Sequence, residues 1–410
     1  MKRNISLLLA VFVIMTSFAG CSKKDTSDNG GIEKITLTVW GPQEDQPDSE
    51  GWLPTMCETF NDAHPEWDIT FKYGVCSEGD AGKNISADPS GSADVYFFAN
   101  DQLGALLQAN AISRLGGSVL EEIKNTNSEN MVASVTASDG GVYGVPFSGN
   151  TWFMFYNKSI FTEDDVKSLD RMLEKGKVAF PLTNSWYMGA FYLANGCTLF
   201  GEDGFDVAAG VDFGGKEGEE ATRYLVSLAG NKNFVNDTEG AGLSGLLDGS
   251  VGAVFTGSWD GEKIADALGD DFAAAPLPTA SIGGSEKQLL SFAGSKAIGV
   301  NPNCKYPEVA VALASFLGSY EAQRAHYEMR GIIPSNEKLL SDDMLKDDAV
   351  AQAQAETIEK TAIIQPSVPE MSSYWVPVEN MGKAIVSGEI TAENAKEKTE
   401  SFNESLKASL

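Results

Sequence analysis

Aromatic residues and uncharged or acidic hydrogen-bonding residues occur together where several predicted strands end. Glu44 and Asp45 follow the first strand, and Phe98, Asn100 and Asp101 lie at the end of the third. The complete set of such segments is 40–46, 97–102, 148–152, 184–187, 257–260 and 372–375. Ligands of α/β proteins bind outside the carboxyl ends of strands, so these segments are the candidate binding site.

This mixture of side chains suits a carbohydrate ligand. A pyranose ring has apolar C–H faces that stack on aromatic rings, and hydroxyls that both donate and accept hydrogen bonds. Amides and carboxylates satisfy those hydroxyls, and bonds to an ionised carboxylate are the stronger ones. A phosphate, carboxylate or peptide ligand would favour basic residues or a glycine-rich helix start. None of the six segments contains Lys or Arg.

Each candidate also has a purely structural interpretation. Tryptophans are common in cores, and the helix and strand patterns around Trp52 and Trp67 predict that role for them. Trp259 and Trp375 follow Gly-Ser and Ser-Ser-Tyr at predicted turns, which favours ligand contact. Asp101 could cap the helix that follows it as well as bind a ligand.

Strands and helices alternate along the chain in two rounds. Strands at 34–40, 69–73 and 93–99, with helices at 52–64 and from 103, predict an α/β sandwich with a largely parallel sheet. The alternation restarts beyond 158 and predicts a second lobe. A strand at 294–300 and a helix at 307–317 then return the chain to the first lobe.

The chain begins with features of an export signal. Basic residues at 2–3 precede an apolar run over 5–15, which is too short to span a bilayer, and then small residues before Cys21. This predicts a signal peptide at 1–20 and a lipid-modified Cys21, the alternative being an ordinary secretory signal. Residues 21–32 are then a flexible tether.

Composition excludes several functions. The net charge of -28 argues against nucleic acid or an anionic membrane surface as a partner.

Four further cysteines match no zinc pattern, and free buried thiols are favoured over disulfides. The two histidines, His64 and His326, lack a nearby set of partners, so we expect no metal and no catalytic triad. No Walker sequence is present, and no cofactor is expected.

The chain resembles the extracellular solute-binding proteins of sugar ABC transporters, in the group similar to maltodextrin-binding proteins. The matching stretches are 94–101, 144–146 with 156–158, 257–259, 278–279, and 368–372 with Trp375. The resemblance implies a type II, two-lobe periplasmic-binding-protein-like fold. Each lobe would be a mostly parallel sheet flanked by helices, joined by a hinge of several crossovers. The expected lobes are 33–148 with 296–334, and 149–295 with 335–410.

The resemblance also implies roles for the candidate residues. Trp186, Trp259 and Trp375 would supply stacking faces from the second lobe, with Phe98 opposing them from the first. Asp101 and Glu44 would accept bonds from ring hydroxyls, and Asn100 belongs to the same set. Three positions depart from the family pattern: Asp45 replaces a lysine, Gln102 an arginine and Asn150 a glutamate. Asp45 and Asn150 are still predicted to contact the ligand.

The expected function is capture of an oligosaccharide, most simply a maltodextrin, for delivery to the membrane permease subunits of an ABC importer. The lipid anchor would hold the protein at the outer face of the cytoplasmic membrane. Two alternatives remain open from the sequence: a secreted glycoside hydrolase, and a surface receptor that senses sugar without transport.

Overall fold

In the computed structural model, residues 33–46, 50–201 and 204–408 are described. The predicted signal peptide, Cys21 and the tether up to residue 32 lie outside these ranges. The strands within them are β1 (Glu33–Gly41), β2 (Trp67–Val75), β3 (Val95–Ala99), β4 (Val145–Asn150), β5 (Phe153–Asn157), β6 (Val178–Phe180), β7 (Thr198–Leu199), β8 (Val211–Asp212), β9 (Phe234–Asn236), β10 (Ala253–Thr256), β11 (Phe272–Ala275), β12 (Thr279–Ile282), β13 (Ser285–Gln288), β14 (Ser291–Val300) and β15 (Ala362–Ile364).

Helices surround these strands throughout the described residues. They are α1 (Trp52–Ala63), α2 (Ala81–Ala87), α3 (Leu103–Gln108), α4 (Gly117–Thr126), α5 (Glu129–Ser134), α6 (Leu169–Lys175), α7 (Ser185–Ala194), α8 (Gly215–Ala229), α9 (Ala241–Leu247), α10 (Gly261–Leu268), α11 (Pro307–Leu317), α12 (Tyr320–Arg330), α13 (Glu337–Leu340), α14 (Asp343–Lys346), α15 (Ala349–Lys360), α16 (Trp375–Val386) and α17 (Ala395–Ala408). None of these helices is long and apolar enough to cross a bilayer.

The first sheet has the strand order β15-β14-β3-β1-β2, with β4 also paired to β14. In β1, Ile35, Leu37 and Val39 alternate with more exposed residues, and all three are almost fully buried. This is the period of two expected for a strand with one face in the core. β1 runs parallel to β2 and β3, while β14 runs antiparallel to β3 and β4. The sheet is therefore mixed, with a parallel part.

The second sheet has the order β11-β5-β10-β6-β9. β10, β6 and β9 are parallel, whereas β5 and β11 are antiparallel to their neighbours. The sequence predicts that the apolar strand ending near Asn157 is not at an edge, and β5 does lie between β10 and β11. Its first four residues are buried, as expected of a strand covered on both faces.

Two segments connect the sheets. β4 ends in the first sheet at Asn150, and β5 begins in the second at Phe153, so the chain crosses between the sheets over residues 151–152. Buried Thr151 donates a hydrogen bond of 2.8 Å from its hydroxyl to the carbonyl of Phe292, near the start of β14. β14 then pairs with β3, so the chain re-enters the first sheet there. The exact lobe boundaries stay a prediction.

Each sheet has its own hydrophobic core. Trp52 is fully buried in the first core, as predicted, and its indole N–H donates to the carbonyl of Ala322 at 2.9 Å. Trp152 is fully buried in the second core. Four cysteines of the described residues are free and buried, as favoured from the sequence: Cys57, Cys76, Cys197 and Cys304. Two separate cores are what two lobes require.

Candidate functional site

A cavity of about 470 Å³ lies between the two sheets. Its lining residues come from both: Glu78, Gly79, Ala99, Asp101, Gln102, Asn150 and Lys296 from the first sheet and its turns, and Trp186, Trp259 and Trp375 from the second lobe's elements. Five of the nine predicted ligand-binding residues, Asp101, Asn150 and the three tryptophans, are therefore brought together here. Their contact with a ligand stays a prediction.

Short 3₁₀ turns at strand ends supply much of this lining. Glu78–Asp80 follows β2, Asn100–Gln102 follows β3, and Ser258–Asp260 follows β10. Each turn bends the chain out of the sheet as soon as the strand ends, which leaves side chains at the sheet edge facing the opposite lobe. The predicted rule, that strand ends carry the site, holds for these turns.

Trp186 and Trp259 form an aromatic pair on the second lobe. Their ring centroids are 6.2 Å apart and the planes are inclined by 28°. The Asn184 side chain caps α7 by accepting from the backbone N–H of Trp186 at 2.9 Å, so α7 begins at Ser185. The indole N–H of Trp186 donates to Gln365 at 2.8 Å. Trp259 is 41% exposed, which leaves part of its ring accessible to a ligand.

Trp375 begins α16 and is half-buried. Its ring packs edge-on against Tyr374 at 5.0 Å and Phe292 at 6.3 Å. Tyr374 is fully buried, and its hydroxyl donates to the carbonyl of Ser185 at 3.2 Å. These contacts hold the indole of Trp375 in a fixed orientation toward the cavity, which reduces the entropy lost when a ring stacks on it.

Asp101 is the cavity's perturbed carboxyl group. Burial raises the pKa of Asp101 to about 6, although a hydrogen bond from the Gln102 side chain, at 2.7 Å, opposes the rise. A carboxylate with little solvation has accepting capacity left for a ligand. Polar side chains with strongly shifted pKa values in a cleft are typical of binding and active sites.

Sequence reasoning missed Glu78 and Lys296. The Nζ atom of Lys296 is 3.1 Å from Glu78 Oε1 and 5.7 Å from the ring centroid of Trp259. Lys296 lies in the middle of β14, where nine of the ten residues are buried, rather than at a turn. A lysine inside such an apolar strand was the available signal. Glu78 carried none, because nothing local distinguishes it from other acidic residues.

Four predicted residues do not line the cavity. Glu44 is exposed in the turn after β1. Phe98 is fully buried in the core of the first lobe, where it packs on Tyr96 with ring centroids 6.2 Å apart. Every residue of β3 is buried, so the strand is covered on both faces and leaves no open side for the Phe98 ring. Phe98 therefore presents no stacking face in this structure.

Asn100 is 1% exposed and lies beside Gly294 of β14. Its amide nitrogen and oxygen have no hydrogen-bonding partner among the described residues. An unpaired buried amide is costly, so stability alone does not explain an asparagine at position 100.

Asp45 is turned away from the cavity. It is 2% exposed, and its Oδ1 lies 2.9 Å from His326 Nε2 and 3.3 Å from Arg330 Nε, both on α12. Burial alone would raise the pKa of Asp45, but the hydrogen bond and charge of His326, with Arg330, hold it below its ordinary value. The sequence shows no nearby set of partners for His326, and the structure supplies Asp45 from 281 positions away.

No group of three or more His, Cys, Asp and Glu side chains in the described ranges could hold a metal ion. The candidate site is thus built from aromatic faces, amides, carboxylates and one ammonium group. This set can bind a neutral, hydroxyl-rich ligand without a cofactor.

Residues 55–353 match the family model of the bacterial extracellular solute-binding proteins. The chain belongs to this family. A maltooligosaccharide ABC transporter solute-binding lipoprotein of Streptococcus pneumoniae R6 is 26% identical, over 96% of this chain and 94% of the relative. This family binds solutes, so the hydrolase alternative is not supported. The family to which the chain belongs is extracellular, whereas anchoring at the membrane through a lipid on Cys21 stays a prediction.

Solved structures show the same fold. One chain, solved with acarbose, is 51% identical with a TM-score of 0.88, covering 92% of this chain and 100% of that one. Maltodextrin-binding protein MalE1 from L. casei BL23, solved without ligand, is 27% identical with a TM-score of 0.82, covering 90% of this chain and 98% of that one. The predicted two-lobe periplasmic-binding fold is confirmed, with each sheet mixed rather than mostly parallel.

Proposed function

We propose that this solute-binding protein captures a maltooligosaccharide in the cavity between its lobes and delivers it to the membrane subunits of an ABC importer. The observation that carries the proposal is the convergence of three tryptophans and Asp101 on one cavity. Support comes from the S. pneumoniae relative, which is named for maltooligosaccharide transport, and from the 51% identical chain solved with acarbose.

The proposed binding mode assigns a role to each lobe. Trp186, Trp259 and Trp375 stack on the apolar faces of successive sugar rings. Asp101, after β3, and Asn150, at the end of β4, both belong to the first sheet and its turns, and they accept or donate hydrogen bonds at the hydroxyl rim. A stacked aromatic ring buries apolar surface of the sugar and fixes the plane of the sugar ring. A polar side chain distinguishes between sugars by the arrangement of their hydroxyls.

Closure of the cleft follows from this division of roles. A sugar bound to one lobe alone gains only part of the available contacts. The closed state gains contacts from both lobes, so ligand shifts the population toward it by its differential affinity for that state. The importer's membrane subunits would then bind the closed form, and their ATPase partners would supply the energy. The lipid anchor raises the local concentration of the protein near them.

The test is calorimetric titration of the purified protein with maltose, maltotriose and longer maltodextrins, with galactosyl and β-linked oligosaccharides as controls. We expect binding of the α-glucans with unchanged sugar recovered afterwards, and weaker or no binding of the controls. Binding of none of the α-glucans would contradict the proposal, and so would release of new reducing ends.

A further inference from the structure

We infer that Lys296 contacts the bound sugar, and that Glu78 orients its ammonium group for this purpose. The inference rests on the proposed function and names the cleft's cationic hydrogen-bond donor. Neither residue belongs to the set that strand-end motifs predict. The geometry that points to them is an ion pair at the cavity wall, in which the ammonium nitrogen of Lys296 lies over the ring of Trp259.

The position of Lys296 in the sheet is unusual for a lysine. In β14 it pairs with Ala99 of β3 on one side and Ser148 of β4 on the other, so it occupies an interior strand. Its side chain is 21% exposed, and that of Glu78 is 11% exposed. Lysines are rarely placed in such a strand, because partial burial of an ammonium group is costly unless it is paired. The residue is therefore better explained by the cavity than by the sheet.

Glu78 fixes where the ammonium group lies. Their 3.1 Å separation is a direct ion pair, and an ammonium group has three N–H donors. One donor is committed to Glu78, which leaves others for a ligand. Asp101, the other cavity carboxyl group, takes its side-chain hydrogen bond from Gln102 instead. The two carboxyl groups therefore have separate partners: Lys296 pairs with Glu78, and Gln102 donates to Asp101.

Trp259 defines which part of a ligand Lys296 would meet. The ammonium nitrogen of Lys296, on the first lobe, is 5.7 Å from the centroid of the Trp259 ring on the second. A pyranose that stacks on this indole carries its hydroxyls around the rim of the ring. A sugar on Trp259 would thus bring its hydroxyl oxygens to the ammonium group, and the same sugar ring would be contacted from both lobes.

This assignment also completes the chemistry of the cavity. Among the cavity-lining residues, Lys296 carries the only cationic side chain. The resemblance to maltodextrin-binding proteins implies basic residues at positions 45 and 102, where this chain has Asp45 and Gln102. Lys296 supplies a charged donor from a different strand, which offsets the loss of both.

The experiment is calorimetric titration with maltotriose of the wild type, Lys296→Met, Glu78→Gln and the double variant. Lys360→Met is the matched control, because Lys360 is an exposed lysine that also pairs with a glutamate, Glu356, but lies outside the cavity. Hydrogen bonds to charged groups contribute about 1.5 to 3 kcal/mol. At about 1.4 kcal/mol per tenfold, Lys296→Met should weaken binding about ten- to hundredfold, while Lys360→Met leaves it unchanged.

The double variant tests the orienting role of Glu78. Glu78→Gln should weaken binding in the presence of Lys296 and have no further effect in the Lys296→Met background, since coupled residues are not additive. Additive losses, or no loss for Glu78→Gln alone, would overturn that role. A loss below about fivefold for a folded Lys296→Met, or for Lys296→Gln if the Met variant does not fold, would overturn the contact. A wild type that binds no α-glucan would instead overturn the proposed function.

Discussion

The carboxyl group of Asp101 should make sugar binding depend on pH. Burial raises the pKa of Asp101 to about 6 in the ligand-free protein. Sugars are uncharged, so ligand ionisation cannot contribute. An ionised carboxylate accepts stronger hydrogen bonds from hydroxyls than a protonated one does. Affinity should therefore be full well above this pKa and fall as the pH drops through it.

The magnitude follows from the fraction of ionised Asp101. If binding requires the ionised form, the apparent Kd is multiplied by one plus the ratio of protonated to ionised carboxyl. With a pKa of about 6, that factor is about 1.1 at pH 7 and about 11 at pH 5. We therefore expect about a tenfold loss of affinity between these two values.

The assay is titration calorimetry with maltotriose at several pH values from about 7.5 to about 5, with thermal unfolding measured alongside to show that the protein stays folded. Asp101→Asn should bind more weakly at neutral pH and show a flat profile. Asp139→Asn is the matched control, because Asp139 is an exposed aspartate of the first lobe that lies outside the cavity, and it should retain the wild-type profile. A flat wild-type profile, or an unchanged slope in Asp101→Asn, would refute the reasoning.

Two further outcomes are expected. Trp375→Ala should lose about 1 to 3 kcal/mol of maltotriose affinity, the range for one aromatic stacking platform by analogy with bases, and an unchanged Kd in the folded variant would remove Trp375 from the site. Asp45→Ala should lose about 3 to 5 kcal/mol of unfolding free energy in urea, because it leaves buried His326 without its partner. Glu66→Ala, which breaks an exposed pair with His64, should cost less than about 1 kcal/mol, and equal losses for the two variants would contradict the burial argument.

The regular elements were predictable because their signals are local. The alternation of Ile35, Leu37 and Val39 predicts β1, and the apolar spacing with Pro307 at the start predicts α11 to the residue. Trp52 lies inside such a pattern and is in the first core, as predicted, and Trp67, also expected in a core, is partly buried against it. Period and composition are properties of short segments, so a sequence is sufficient to read them.

The site was predicted in part for the same reason. Two of the correctly placed residues, Asp101 and Trp259, follow strand ends, and the other two, Trp186 and Trp375, lie at helix starts. Such positions share one edge of an α/β sheet. Phe98 satisfies the same rule and yet lies in the core. A strand buried on both faces has no exposed side that its pattern could reveal, so the direction of the Phe98 ring could not be read from β3.

The sequence by itself predicted an export signal, and it determined the α/β class, the two rounds of strands and helices, and a chemistry suited to hydroxyl-rich ligands. Only the tertiary structure decided that Asp45 pairs with His326 and that Lys296 reaches Glu78 and Trp259. These partners come from distant parts of the chain. Their meeting depends on strand order and on how the two sheets face each other, which no local spacing encodes.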